Sequence, residues 1–428
     1  MEVLQYKRFQ ETLYREVLDN GLEIIVLPKS GFQKTYATFA TKFGSIDNHF
    51  AVAGKEAVQV PDGIAHFLEH KMFEEPTGDI FATFASQGAS ANAFTTFDRT
   101  VYLFSATEQI EANLETLIDF VQNPYFTDEN VEKEKGIIEQ EINMYADNPD
   151  WRVYFGLIEA LYQKHPVHID IAGTAESIGK IDKETLYACY ETFYHPSNML
   201  LFVVGGVDAP SIIDLVKRNQ AKKSFAPQGE IARIFEEEPA AVRDKKVVRK
   251  LAVSLPKCMI GFKEKQVTAA GIELLEQEVV TKLMLDVLLG SSTPLYQFLY
   301  EQQLITDSFG HEYNIMTGYG FSVIGGDTPE PERLLEQLRT AIQKAAQDGL
   351  DPQLFERVKR KKIGGFLRML NSPEAIAGEF TRYSFRDSDM FDILALYENS
   401  TLEQINARLR DHFDFEHMAV SIVTSDKH

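Results

Sequence analysis

Two histidines and a glutamate stand within five residues of one another, at His66, Glu69 and His70. On an α-helix, positions i, i+3 and i+4 fall on one face, so these three side chains point the same way. Two imidazoles one turn apart can hold one zinc ion, with a carboxylate beside it. The order H-x-x-E-H is the inverse of the commoner H-E-x-x-H zinc-peptidase pattern. The apolar neighbours Ile64, Phe67, Leu68 and Phe73 argue that this helix is packed against a core and is not a free surface helix.

A catalytic zinc takes three protein ligands, drawn from imidazole nitrogen and carboxylate oxygen, and keeps a fourth position for water. His66 and His70 supply two. The strongest source of the third is the acidic stretch Glu132–Met144, where Glu134 and Glu141 are seven residues apart. Two helical turns put that pair on one face, while Glu139 points elsewhere. One of the two is expected to bind zinc and the other to sit close behind; spacing leaves open which. Glu69 is then the general base. A bound zinc lowers the pKa of water towards about 7, and a carboxylate within hydrogen-bond reach takes the proton.

These residues need elements to position them. Leu18–Pro28 reads as a turn and a strand, and Thr35–Phe43 as a second strand. Pro61–Phe73 reads as a helix with Asp62 as its N-cap, and Gly78–Gln87 as another, ending at Gly88. Ser90–Phe97 and Thr100–Ala106 form a hairpin. Glu108–Asn123 is an amphipathic helix closed by Pro124, and Asp128–Tyr145 a long helix capped by Asp128. A helix over Lys183–Phe193, a turn at His195–Asn198 and a buried strand at Met199–Val204 follow. Strands and helices mixed in this way indicate an α+β fold.

From Asn219 to Lys246 the apolar period is broken by Lys222, Lys223, Pro227, Gly229, Glu236–Glu238 and Pro239. This places a linker at 219–246 between domains at 1–218 and 247–428. The second half repeats the pattern loosely: helices at Gln277–Leu289, Pro294–Glu301, Glu330–Asp348 and Asp351–Leu370, with a strand pair at Phe309–Tyr313 and Tyr319–Ile324. An old internal duplication is the reading. The second half carries no H-x-x-E-H, so only the first can build the zinc site.

Composition excludes several classes. A chain of 428 residues suggests two or more domains. A net charge of −21 argues against nucleic acid as a partner. The two cysteines, Cys189 and Cys258, are far apart and offer neither a disulfide framework nor a cysteine zinc site. No apolar run reaches the roughly 20 residues of a membrane helix, and the first residues lack the shape of a signal peptide. A cytoplasmic protein without a membrane partner is expected.

The residues around His66 and their order resemble the pitrilysin-like (M16) family of inverse-zincin metallopeptidases, over most of the chain. The likeness includes Leu18–Leu22, His66–His70, Gly88–Ala93, the Glu134 and Glu141 pair, Asp147–Pro149 and Tyr194–Met199. The length matches the half-size subfamily that includes mitochondrial processing peptidase. The resemblance implies Glu141 as third ligand and Glu134 as the supporting carboxylate behind it. It implies two similar domains, each a mostly antiparallel sheet packed with helices. It also implies an edge strand at Asn92, Ala93, Phe94 and Thr95 that pairs with an extended peptide substrate. One departure stands out. Where the family carries an Arg and, seven residues on, a Tyr that contact substrate, this chain has Tyr300 and Asp307. It therefore resembles the zinc-bearing subunit of a heterodimer, whose related partner without zinc ligands supplies Arg and Tyr. A homodimer would need substitutes such as His311 and Tyr313. A non-catalytic subunit would be expected to have lost part of the H-x-x-E-H set, which is intact here.

Overall fold

The computed structural model describes residues 1–76, 78–265 and 267–425. Helices cover antiparallel-rich sheets in an α+β architecture. The chain forms two compact units. The first takes Met1–Ile142, Ile169–Phe235 and Leu370–Phe385; the second takes Asn143–His168, Glu236–Met369 and the chain from Arg386 onward. The composition-shifted stretch 219–246 contains one passage between the units, at Phe235–Glu236, and the chain also crosses after Ile142, His168, Met369 and Phe385.

The first unit is built on a seven-stranded sheet of β1 (Glu2–Tyr6), β2 (Glu11–Val17), β3 (Glu23–Pro28), β4 (Thr35–Thr41), β5 (Ala89–Thr95), β6 (Thr100–Ala106) and β7 (Met199–Gly205). The spatial order is β1-β2-β3-β7-β4-β6-β5. The apolar run of β7 is buried at every residue and sits in the middle, parallel to β3 and antiparallel to β4. A strand covered on both faces has no reason to alternate. At the far edge, β5 pairs with β6 alone among the described residues.

The second unit has a five-stranded sheet of β8 (Lys246–Lys250), β9 (Lys257–Lys263), β10 (Gly310–Met316), β11 (Tyr319–Asp327) and β12 (Met418–Thr424), in the order β8-β12-β9-β11-β10. One parallel pairing followed by three antiparallel ones repeats β3-β7-β4-β6-β5 of the first unit. The duplication is thus written in the topology as well as in the loose sequence pattern.

The helices that matter for the argument are α1 (Ile64–Met72), α2 (Asp128–Ala146), α3 (Pro149–Leu161), α4 (Gly271–Leu289), α5 (Pro294–Glu301), α6 (Pro352–Met369), α7 (Pro373–Ser384) and α8 (Leu402–His412). Two starts differ from the expectation. Helix α1 begins at Ile64 and not at Pro61, and its N-cap is Gly63 at φ 86°. Asp62 instead accepts a hydrogen bond from Asn48 Nδ2 at 2.7 Å. The backbone at Gly63 runs so close to Ala172 that a Cβ there would lie 2.4 Å from the Ala172 carbonyl oxygen. Helix α2 is capped by Thr127 and not by Asp128. Thr127 Oγ1 accepts from the Asn130 amide at 3.1 Å, while Asn130 Oδ1 accepts from the Thr127 amide at 2.9 Å, the reciprocal logic of a capping box. Asp128 is the first helical residue and pairs with Lys183 at 2.8 Å. The helix expected at Gly78–Gln87 runs from Ile80 to Ser86, because Asp79 caps it by accepting from the Phe81 amide.

In the second unit a buried polar cluster ties α8 to the sheet and to α4. Glu264 accepts from the Arg408 guanidinium, from Tyr313 Oη at 2.9 Å and from His412 Nδ1 at 2.7 Å. Arg408 Nε donates to Thr281 Oγ1 at 2.8 Å. Burial alone would raise the Glu264 carboxyl, but the hydrogen bond and charge of His412 and Arg408 outweigh it and hold the group at about 2.

Three stability outcomes are expected. Gly63→Ala forces a side chain into a left-handed backbone against a neighbouring carbonyl and costs at least about 2 kcal/mol. Gly136→Ala, inside α2 with open space around it, stabilises by about 0.5–1 kcal/mol; urea unfolding checks both. Glu264→Gln costs about 3–5 kcal/mol at neutral pH, because it strips a buried cation of its partner. A carboxyl depressed from 4.5 to about 2 in the fold contributes stability above pH 4.5 and loses it as pH falls through about 2. The deficit of the variant therefore narrows once pH drops below about 4.5.

Candidate metal centre

Helix α1 presents two faces. Ile64, Ala65, Phe67, Leu68 and Met72 are buried in the core of the first unit. His66, Glu69 and His70 share the other face, opposite α2. Along α2, Val131, Glu134 and Ile138 are buried while Glu139 is exposed, so the face with Glu134 and Glu141 is the one turned to α1.

The ligand atoms converge. His66, His70 and Glu141 each offer one atom, all within 4.8 Å of one another. The Glu141 carboxylate lies between the imidazoles: Oε1 is 3.7 Å from His66 Nε2 and Oε2 is 3.5 Å from His70 Nε2. Glu134 stands on the other side of His70, with Oε1 3.1 Å from Nδ1. A carboxylate accepts at that contact, which favours a proton on Nδ1 and makes Nε2 the nitrogen available to a metal. Two imidazole nitrogens and one carboxylate oxygen suit zinc. The geometry thus distinguishes the two acidic residues that spacing could not: Glu141 sits between both Nε2 atoms, and Glu134 meets the far side of one ring.

Burial pushes the His66 imidazole down to about 3, helped by His70 and opposed by Glu134, so the ring is neutral and its lone pair is available. For His70, burial is outweighed by the Glu134 hydrogen bond and the charges of Glu69, Glu134 and Glu141, which raise it. Burial raises the Glu69 carboxyl, against the pull of its hydrogen bond from Thr95.

Thr95 Oγ1 donates to Glu69 Oε2 at 2.7 Å. Thr95 belongs to edge strand β5, on which Asn92 and Phe94 are exposed and Ala93 and Thr95 half-buried. Of the four, Thr95 touches the site, with Asn92, Ala93 and Phe94 preceding it on the same strand, and Thr95 does something the sequence did not signal: it holds the carboxylate of the expected base.

The second unit has no such centre. Helix α4 lies between β9 and β10 in sequence as α1 lies between β4 and β5, and α6 corresponds to α2. There Asp286 of α4 faces His311 of β10 at 3.8 Å, Lys361 of α6 at 3.4 Å, and Lys362. Lysines stand where ligands would be needed, and among the described residues only His66, His70 and Glu141 form a metal-competent group. Three of the other histidines have structural partners. His165 Nδ1 accepts from the Val167 amide, His195 caps the turn at Pro196–Asn198, and His417 pairs with Asp414.

The chain belongs to the M16 peptidase family. Residues 57–175 match the model for insulinase (peptidase family M16), and residues 180–362 match that for the peptidase M16 inactive domain. It is 53% identical, over 97% of both chains, to YmfH of Bacillus subtilis, described as an uncharacterized zinc protease. It also resembles the zinc protease PqqE of Helicobacter pylori at 22% identity, over 86% of this chain and 82% of that one. Among solved structures, an M16-like peptidase from Alicyclobacillus acidocaldarius shares 41% identity with a TM-score of 0.95, covering 97% of this chain and 99% of that one. No helix among the described residues is long and apolar enough to cross a membrane.

Zinc at 100 times its Kd is expected to stabilise the protein by about 2.7 kcal/mol, read as the difference between zinc-loaded and chelator-treated thermal unfolding. Glu141→Gln should abolish that gain, and Glu139→Gln, on the exposed face of the same helix, should leave it intact.

Proposed function

We propose that this chain is a zinc endopeptidase acting on peptides or unfolded segments. The observation that carries the reading is the convergence of His66, His70 and Glu141 next to Glu69, at the end of an edge strand with one side unpaired among the described residues. A zinc ion held by those three residues would supply an acidified water and polarise a peptide carbonyl.

The protein's own groups do the rest. An extended substrate can add to the free edge of β5 along Asn92–Thr95, which carries its backbone past Glu69. The Thr95 hydroxyl fixes Glu69 Oε2 and leaves Oε1 to take the proton of the attacking water and pass it to the leaving amine. The burial that raises the Glu69 carboxyl brings it closer to the working range of a base that must also act as an acid.

We further propose that the chain is the zinc-bearing member of a pair, its partner being a related chain that lacks zinc ligands and supplies a substrate-clamping Arg and Tyr. Tyr300, at the end of α5, and Asp307, before β10, are both exposed and bring no guanidinium. The substitutes within this chain are already engaged. Tyr313 is 2% exposed and bonded to Glu264 and Arg408, and His311 sits against Asp286. These contacts favour a partner over a self-sufficient homodimer.

Cleavage of a mixed quenched-peptide library tests both proposals. Glu69→Gln should lower kcat/KM by about 10²–10⁴-fold while zinc binding persists. Mixing with the related chain should give activity that neither shows alone. Full hydrolysis by this chain by itself would overturn the divided site and leave the peptidase reading standing.

A further inference from the structure

Lys71 follows the second histidine directly and is 0% exposed. A buried ammonium is costly, and an apolar side chain of similar volume commonly serves stability as well or better. Its place therefore calls for another account. Its Nζ is fully surrounded: it donates to Glu74 and, at 3.2 Å, to the carbonyl of Asn130, and it lies 3.9 Å from Glu134 Oε2. The other oxygen of that carboxylate, Oε1, is the one that meets His70 Nδ1 at 3.1 Å. One carboxylate thus bridges the two neighbouring side chains of α1, an oxygen to each.

Lys71 also connects the two ligand-bearing helices. It is carried by α1 with His66 and His70, and both Asn130 and Glu134 belong to α2, which carries Glu141. With Glu69, Glu74, Glu134 and Glu141 gathered here, like charges would drive the helices apart and turn Glu134 away from His70. A fixed cation behind Glu134 opposes both movements.

We infer that Lys71 is a positioning residue for the metal centre: it holds Glu134 on His70 and α2 on α1, so that the His66, His70 and Glu141 donor set is formed before metal arrives. This rests on the reading of that set as a zinc site. Lys71 touches neither metal nor substrate and acts through Glu134.

The test is zinc affinity of the purified full chain, measured by competition with a chromogenic chelator alongside thermal unfolding. Lys71→Met should bind zinc about 10-fold more weakly, at the lower end of the 10–100-fold typical when a partner of a ligand is removed, because Lys71 stands one step further out. Glu74→Gln, which removes the other carboxylate on Lys71, should bind zinc like the parent even where it unfolds at lower temperature. Lys71→Met combined with Glu134→Gln should bind no more weakly than Glu134→Gln alone. Should Lys71→Met fail to fold, Lys71→Gln keeps a donor for the Asn130 carbonyl but no charge for Glu134, and carries the same expectation. A folded, charge-free variant with parental affinity, or effects that add in full in the double variant, would overturn the inference. A parent chain that takes up no zinc would instead overturn the metal reading itself.

Discussion

The first unit depends on the burial of one short helix. Nine residues of α1 must bury Ile64, Phe67, Leu68 and Met72 in the core and at the same time hold two imidazoles and two charged groups in defined places. Such a helix has little freedom. Its start is fixed by a left-handed glycine pressed on the backbone at Ala172, and its polar side is fixed by α2. The donor set is therefore rigid because it shares its backbone with the core, which is the condition for a preorganised site. The same burial sets the electrostatics: it keeps His66 neutral and raises the Glu69 carboxyl.

The duplicated topology shows how the two units parted. Both keep the same five-strand pairing pattern, and both place polar residues where a helix following the second core strand faces the edge strand. In the first unit those positions carry His66, His70 and Glu141. In the second they carry Asp286, His311, Lys361 and Lys362, where one carboxylate is paired with two lysines. The second unit has put its other polar investment into the Glu264, Arg408, His412 and Tyr313 cluster, a closed network that fixes α8 on the sheet. Folding needs one such network; chemistry needs a site left incomplete.

Much of this was legible in the sequence, for physical reasons that differ by element. The motif at His66 was legible because helical spacing alone decides which side chains share a face. The strand at β7 and the hairpin of β5 and β6 were legible from apolar runs and turns. The choice between Glu134 and Glu141 was not, since residues two turns apart are equivalent until a neighbouring helix is placed. Lys71 gave no signal because a lysine's stem is apolar and its burial is decided by partners distant in sequence. Helix α3 was missed although Asn148 and Pro149 form a regular N-cap and first turn. Strands β1, β2, β8, β9 and β12 were missed, although β2, β9 and β12 are as long as β7, because strand formation depends more on neighbouring strands than on local propensity.

The three-segment make-up of each unit explains why composition points to one linker when the chain passes between units more than once. Helix α3 precedes the linker, yet it packs in the second unit: Gly156 sits against Ser421 of β12, and a Cβ at Gly261 of β9 would lie about 3 Å from the Leu157 and Leu161 side chains. Helix α7 follows the linker, yet it packs in the first unit, where Phe380 stacks on Phe202 of β7 at 4.7 Å. Glycines at 156 and 261 are what let a helix lie that close to a sheet. Cutting the chain at the linker would strip each sheet of a covering helix and expose β7 and β12, strands buried at every residue. The candidate donor set belongs to a fold that needs both halves of the sequence, although His66, His70 and Glu141 all lie in the first.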